Sequence, residues 1–243
     1  MINFLEEISM NAWPAFRQVV DDGWVLRSAQ GYTRRANSVI PLSPGTGDIE
    51  AKIVRCEAFY RQQGLPAIFK LTPAESQLDD LLAARQYEQQ AMTSVQVLPL
   101  AKLELPATPA VTIFTEPTPA WLTASGLLHA STLALRGLDQ RILENICHPT
   151  CLALVMDGPT PVVVGLGVLE RHYVGLFGII TDPAHRRRGF ARQIITAILH
   201  WAREHGATHA YLQVMHDNAP ALALYAKLGF VPQYSYWYRV KRV

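Results

Sequence analysis

Cysteine is scarce in this sequence: Cys56, Cys147 and Cys151 are the only three among 243 residues. So few, and an odd number, cannot build a disulfide framework, and a reducing, cytoplasmic location is expected. Charge is thin as well, at 17% of residues against roughly 25% in ordinary domains. The net charge of +2 is too slight a bias to argue for a nucleic-acid partner. No apolar run approaches the ~20 residues that cross a bilayer, so no membrane partner is expected. The longest candidate, Pro161 to Leu169, is stopped by Glu170 and Arg171. The first residues, Met1-Ile2-Asn3-Phe4-Leu5-Glu6-Glu7, lack a basic leader, and their acids argue against a signal or transit peptide. What the chain does have is apolar mass. Hydrophobic residues make up 49%, enough for a substantial core and too many for general disorder.

Five prolines fall between Pro99 and Pro119, which predicts a domain boundary with an extended linker near residues 101–110. Residues 1–100 and 111–243 then form two domains. In the first, a helix within Met1–Phe16 precedes strands at Gly23–Arg27 and Arg35–Ile40 around a turn at Gln30-Gly31. Ile49, Ile53, Cys56 and Tyr60 recur at helical spacing, and Gly64 closes that helix. A strand (Ala67–Leu71), a helix (Glu75–Arg85) and a strand (Thr93–Leu98) follow. The second domain repeats the theme. Strands at Cys151–Met156, Pro161–Leu169 and Val174–Ile180 lead to a helix over Ala191–Ala202, closed by Gly206. A strand, a helix and a strand again complete the chain. This order of elements predicts an internal duplication of mixed α/β units of the α+β type, each a mostly antiparallel sheet flanked by helices.

The most informative stretch runs Ile179-Ile180-Thr181-Asp182-Pro183-Ala184-His185-Arg186-Arg187-Arg188-Gly189-Phe190-Ala191-Arg192. A buried strand ends at Thr181, and Pro183 keeps Asp182 out of helical geometry. A basic turn then enters a helix whose first N–H groups have no partner within it. Gly189 can take a positive φ and admit a ligand close to the backbone. Arg186, Arg187, Arg188 and Arg192 add charge around Gly189, Phe190 and Ala191. These parts together make a seat for a pyrophosphate. A solvated arginine run, or one that binds nucleic acid, is the rival reading.

Arg186-x-x-Gly189-x-Ala191 resembles the Gln/Arg-x-x-Gly-x-Gly/Ala signature of the GNAT superfamily of acyl-CoA-dependent N-acetyltransferases. Asn218-Ala-Pro-Ala-Leu-Ala-Leu-Tyr225-Ala-Lys-Leu-Gly229-Phe230 resembles that superfamily's Asn…Tyr-x-Lys-x-Gly-Phe segment. The likeness covers roughly residues 111–243, and the whole chain is similar to tandem GNAT proteins with a degenerate first domain. The resemblance implies acetyl-CoA as co-substrate, no metal, an amine acceptor on a small molecule or peptide, and direct attack in a ternary complex. It also implies that backbone groups of Ile179 and Thr181 hold the acetyl and pantetheine amides. Asn218 is a good N-cap. Tyr225 lies two turns on, about 10 Å along the same face, and both would line the cofactor cleft. A phenol can protonate the departing thiolate, which makes Tyr225 the candidate general acid. Glu170 is the first candidate for the base, ahead of His172, His216 and Asp217. A non-catalytic acyl-CoA-binding regulator is the alternative function.

Weaker signals remain. Ser43-Pro44-Gly45-Thr46-Gly47 occupies the place of the basic turn in the first half but has no arginine, so no acyl-CoA binding is expected there. Cys147-His148-Pro149-Thr150-Cys151 lacks the second ligand cluster that zinc needs. Gly165, Gly167, Gly175 and Gly178 mark either bulges or close approach by a ligand, such as an acyl-CoA beside Val174–Thr181, or else packing against a bulky neighbour. Trp24, Arg27, Arg34, Arg35 and Asn37 either contact acceptor or are ordinary hairpin residues.

Overall fold

The computed structural model describes residues 1–101, 103–104, 106, 111–130 and 133–241; most of the expected linker lies outside them. The chain forms two compact units. The first comprises Met1–Val95, Val214–Ala219 and the chain from Pro232 on; the second comprises Gln96–Gln213 and Pro220–Val231.

In the first unit, helix α1 (Ile2–Ala12) precedes strands β1 (Arg17–Asp21), β2 (Trp24–Ser28) and β3 (Val39–Pro41). Helix α2 (Ile49–Arg61), strand β4 (Ile68–Leu71) and helix α3 (Ser76–Ala84) follow, and strand β5 (Glu88–Pro99) carries the chain into the second unit. β1–β2 and β2–β3 are antiparallel, whereas β3 and β4 are parallel across the α2 crossover. Val39, Ile53, Cys56, Tyr60, Phe69 and Leu82 form the core between helices and sheet, each fully buried. β1 was not expected. Its burial is slight on both faces, so no alternation announces it, but Asp22 and Gly23 at φ 45° and 83° form the Asp-Gly hairpin turn that joins it to β2. Arg35 and Ala36, expected in a strand, belong instead to a 3₁₀ turn over Arg34–Ala36.

The second unit contains β6 (Thr112–Phe114), α4 (Pro119–Leu128), α5 (Leu133–Glu144), β7 (Thr150–Asp157), β8 (Thr160–Glu170), β9 (Tyr173–Thr181), α6 (Phe190–Glu204) and β10 (His209–Met215). Helix α7 (Ala219–Leu228) and strand β11 (Val231–Val240) end the chain. β6 through β9 pair antiparallel in order, and β10 lies parallel to β9 across the α6 crossover. This is the strand–strand–strand–helix–strand series of the first unit repeated. α6 buries Ile194, Ile195, Ile198, Leu199 and Ala202, the predicted stripe. A Cβ on Gly167 would stand 2.5 Å from Ile198 Cγ2, and one on Gly165 would stand 2.6 Å from Ile179 Cδ1. Those two glycines, with Gly175 against Phe177 and Tyr211, serve close packing.

The last strand departs from the expected division at 111–243. β11 pairs antiparallel with β4, Trp237 opposite Leu71 and Val240 opposite Ile68, and so belongs to the first unit from Pro232 on. Arg239 forks onto both oxygens of Asp79 at 2.7 and 2.8 Å, and Trp237 Nε1 donates to the same carboxylate at 2.7 Å. Arg239 holds the Asp79 carboxyl below its ordinary range. Tyr234 donates to Glu6 Oε1 at 2.8 Å, while Glu6 Oε2 meets Lys70 Nζ at 2.5 Å.

Candidate active site

The site is built on the end of β9 and the start of α6. β9 and β10 pair from His209↔Tyr173 to Leu212↔Leu176; β9 then runs on to Thr181 with no further partner on β10 among the described residues. Across β8, Val164 faces Ile180 but Leu166 faces Phe177, so β9 carries an extra residue. The bulge falls at Gly178, φ 55°, the one central-strand glycine that its backbone requires. Burial changes at the same point: Phe177 is buried, Gly178 is exposed, and Ile179 to Thr181 are half-buried. Where two parallel strands part after such a bulge, main-chain amides lie open along one edge.

Beyond Thr181 the chain makes a 3₁₀ turn over Pro183–His185 and enters α6. Gly189 is the N-cap at φ 86° with no side-chain cap, and a Cβ there would meet nothing within 4 Å. Arg187 is also left-handed, at φ 61°, an uncommon state for a bulky residue that clusters at ligand sites. Successive N–H groups in a turn of this kind form a concave anion seat, and the helix dipole reinforces it. Arg186, Arg187, Arg188 and Arg192 are exposed around it. Arg186 Nε donates to Thr181 O at 3.4 Å, and the Arg188 guanidinium lies 5.3 Å above the half-buried Phe190 ring. Ala191 keeps the first turn of the helix narrow. His185 braces the turn, its Nδ1 2.5 Å from Asp182 Oδ2 and its ring edge-on to Phe190.

Asn218 directly precedes α7, its N–H donating to Met215 O at 3.1 Å. Tyr225 lies on α7 itself, half-buried, its ring edge-on to Phe230 at 5.8 Å. Its hydroxyl makes no hydrogen bond among the described residues. Burial raises the Tyr225 phenol above its ordinary value, which keeps its proton in place at neutral pH. Gly229, φ 92°, ends the helix, with Phe230 N–H returning to Tyr225 O at 3.0 Å.

Glu170 is not brought to this place. It pairs with Tyr173 at the hairpin end of the ladder, about 25 Å along β9 from Thr181 at 3.3 Å per residue. There it is buried, facing His148 Nε2 at 3.3 Å and Arg171 Nε at 3.6 Å. His172 is at the same end, bonded to Gly206 O. His216 Nε2 is 3.0 Å from Ser235 Oγ. Arg27 and Asn37 are structural: Arg27 is 1% exposed and donates to the carbonyls of Met10, Trp13 and Arg35. Asn37 accepts from Ala29 and Gly31 N–H groups.

The first unit has a corresponding turn before α2, and its own chain fills it. Asp22 accepts from Thr46 N–H at 2.9 Å, from Gly47 N–H at 2.8 Å, and from the buried Lys52 Nζ at 3.2 Å. A carboxylate stands where the second unit offers bare amides. Sequence reasoning missed this, although Asp22-Gly23 is a visible signal. The Gly47 and Thr46 N–H groups, then Lys52, hold the Asp22 carboxyl far below its ordinary range. A carboxyl lowered on folding contributes stability that is present above its unfolded value, near ~3.9, and lost as pH falls below it. Asp22→Asn is therefore expected to be less stable than the parent at pH 7, with the gap closing below about pH 4. Urea unfolding across that range checks this; a gap that does not change with pH contradicts it.

Comparison with known proteins agrees with this architecture. The family model "Probable histone acetyltransferase Rv0428c C-terminal" matches residues 1–239. The chain is 31% identical over 252 aligned positions to "Uncharacterized N-acetyltransferase YobR" of Bacillus subtilis, covering 99% of both chains. It is 28% identical to "Probable histone acetyltransferase Rv0428c" of Mycobacterium tuberculosis, covering 94% of this chain and 70% of that one. Among solved structures, a GCN5-related N-acetyltransferase from Kribbella flavida superimposes with TM-score 0.70 at 16% identity, over 98% of this chain and 95% of that one. A tandem GNAT protein from the clavulanic acid biosynthesis pathway gives 0.68 at 13% identity, over 97% and 87%. These two likenesses concern the fold. Together with the family match, they make this chain a member of the Rv0428c C-terminal acetyltransferase family and an acyltransferase of the GNAT superfamily.

Proposed function

We propose that the second unit binds acetyl-CoA and transfers its acetyl group to an amine of a small molecule or peptide by direct attack in a ternary complex. The observation that carries this reading is the uncapped, left-handed entry to α6 at Gly189, ringed by exposed arginines at the end of an open strand edge. The diphosphate would be held by N–H groups of Gly189 to Arg192, with Arg186 to Arg188 around it. The co-substrate supplies an activated thioester. Backbone groups of Ile179 and Thr181, on the free edge of β9, would hold its amides and polarise the carbonyl. Tyr225 would protonate the departing sulfur, and Asn218 would border the same cleft. The first unit, its nest closed by Asp22, would have no cofactor seat. Free thiols at Cys56, Cys147 and Cys151 accord with work in the cytoplasm.

Gly189→Glu tests the seat. A left-handed backbone costs an L-residue about 1–2 kcal/mol, and a carboxylate there repels a diphosphate. The dissociation constant for coenzyme A is expected to rise at least about tenfold by titration calorimetry. Unaltered affinity contradicts the seat.

A further inference from the structure

We infer that His129 is a catalytic residue of the second unit: its Nε2 takes the proton from the acceptor amine. The inference rests on the proposed reading that the acyl group lies against the free edge of β9. His129 ends α4, exposed to solvent. Its Nδ1 lies 2.9 Å from Ser125 O. A carbonyl only accepts, so Nδ1 carries the hydrogen, and Nε2 of the neutral ring is left with a bare lone pair. That lone-pair nitrogen faces the bulge. Apart from the two chain neighbours, the atoms nearest to a Cβ on Gly178 would be His129 Cε1 and Nε2, both at 3.9 Å, with no others within 4 Å. A base is therefore held at the residue where β9 loses its partner and its burial. Three other groups are placed or occupied otherwise. Glu170 and His172 are at the opposite end of the strand, and His185 Nδ1 is committed to Asp182.

The step balances without further reagents. The amine nitrogen bonds to the acyl carbon, the carbon–sulfur bond breaks, and the nitrogen's proton passes to His129 Nε2. The departing sulfur takes the Tyr225 hydroxyl proton. Solvent then returns a proton to Tyr225 and removes one from the exposed imidazolium.

Bromoacetyl-coenzyme A places an alkylating carbon at the acyl position, and a nitrogen in contact with it displaces bromide. Incubation of the full chain with this reagent should label His129 Nε2, read by peptide mass mapping, and excess coenzyme A should block the label. His129→Gln should lose the label while its affinity for coenzyme A, measured by calorimetry, stays within about twofold. Protectable label on another residue, or tight binding with His129 unmodified, overturns the inference and leaves the cofactor reading standing. Failure of the wild-type chain to bind coenzyme A overturns both. Proton transfer is read separately from contact. Release of thiol from acetyl-CoA with water as acceptor should slow about a hundredfold in His129→Ala and recover on addition of imidazole. An unchanged rate in that variant contradicts the role.

Discussion

Tyr225→Phe is expected to lower turnover about 10²- to 10⁴-fold, the usual worth of a positioned general acid, and to leave coenzyme A affinity nearly unchanged. The side chain keeps its packing against Phe230 and loses only a hydroxyl that bonds to no described residue. Burial raises the Tyr225 phenol, which would make it a weak donor to a thiolate in water. In the proposed cleft the departing thiolate would lose water too, and desolvation raises a thiol's value in the same direction. Because the phenol's value is raised, Tyr225 stays protonated through neutral pH, and activity that depends on it falls only above ~10. Steady-state thiol release across pH, beside a coenzyme A titration, separates the two effects. Parent-level turnover in the variant removes Tyr225 from the chemistry.

Glu6→Gln should cost the first unit about 3–5 kcal/mol. Glu6 and Lys70 are each only 3% exposed, and the Lys70 ammonium lies 4.0 Å from the centre of the Tyr236 ring. A neutral amide at position 6 leaves that ammonium buried without its counter-charge, and also weakens the acceptor for Tyr234 on β11. Replacing both partners, Glu6→Gln with Lys70→Met, should recover much of the loss, because no lone charge is then buried. Urea unfolding followed by tryptophan fluorescence gives the comparison. A single variant as stable as the parent contradicts this account of the pair.

The sequence was most legible where a period or a turn chemistry repeats. The stripe Ile194–Ala202 marked α6, a continuous apolar run marked β8, and Gly189 marked the left-handed entry to α6. The repeated order of elements was readable too, because in each unit a helical crossover sets a strand parallel beside the one before it. Other features depend on which edges meet, and no local pattern encodes that. β11 reads as the last strand of the second half, yet it pairs with β4. Glu170 reads as a carboxylate at a strand end, yet strand direction puts it at the end away from the turn. Among four glycines that look alike in sequence, only Gly178 sits at the bulge; three fit under neighbouring side chains. Ser125 and His129 are one helical turn apart, a spacing visible in the chain, but their value depends on Gly178, far along it. Asp22 closing the turn at residues 46–47 is likewise a long-range pairing.

Backbone amide exchange with and without coenzyme A tests the central claim most directly. The account predicts slowed exchange at Gly189 to Arg192 and along Ile179 to Thr181, with no change at Thr46 and Gly47, whose N–H groups already bind Asp22. Slowing confined to residues 43–48, or absent from the entry to α6 while coenzyme A is bound, would contradict it.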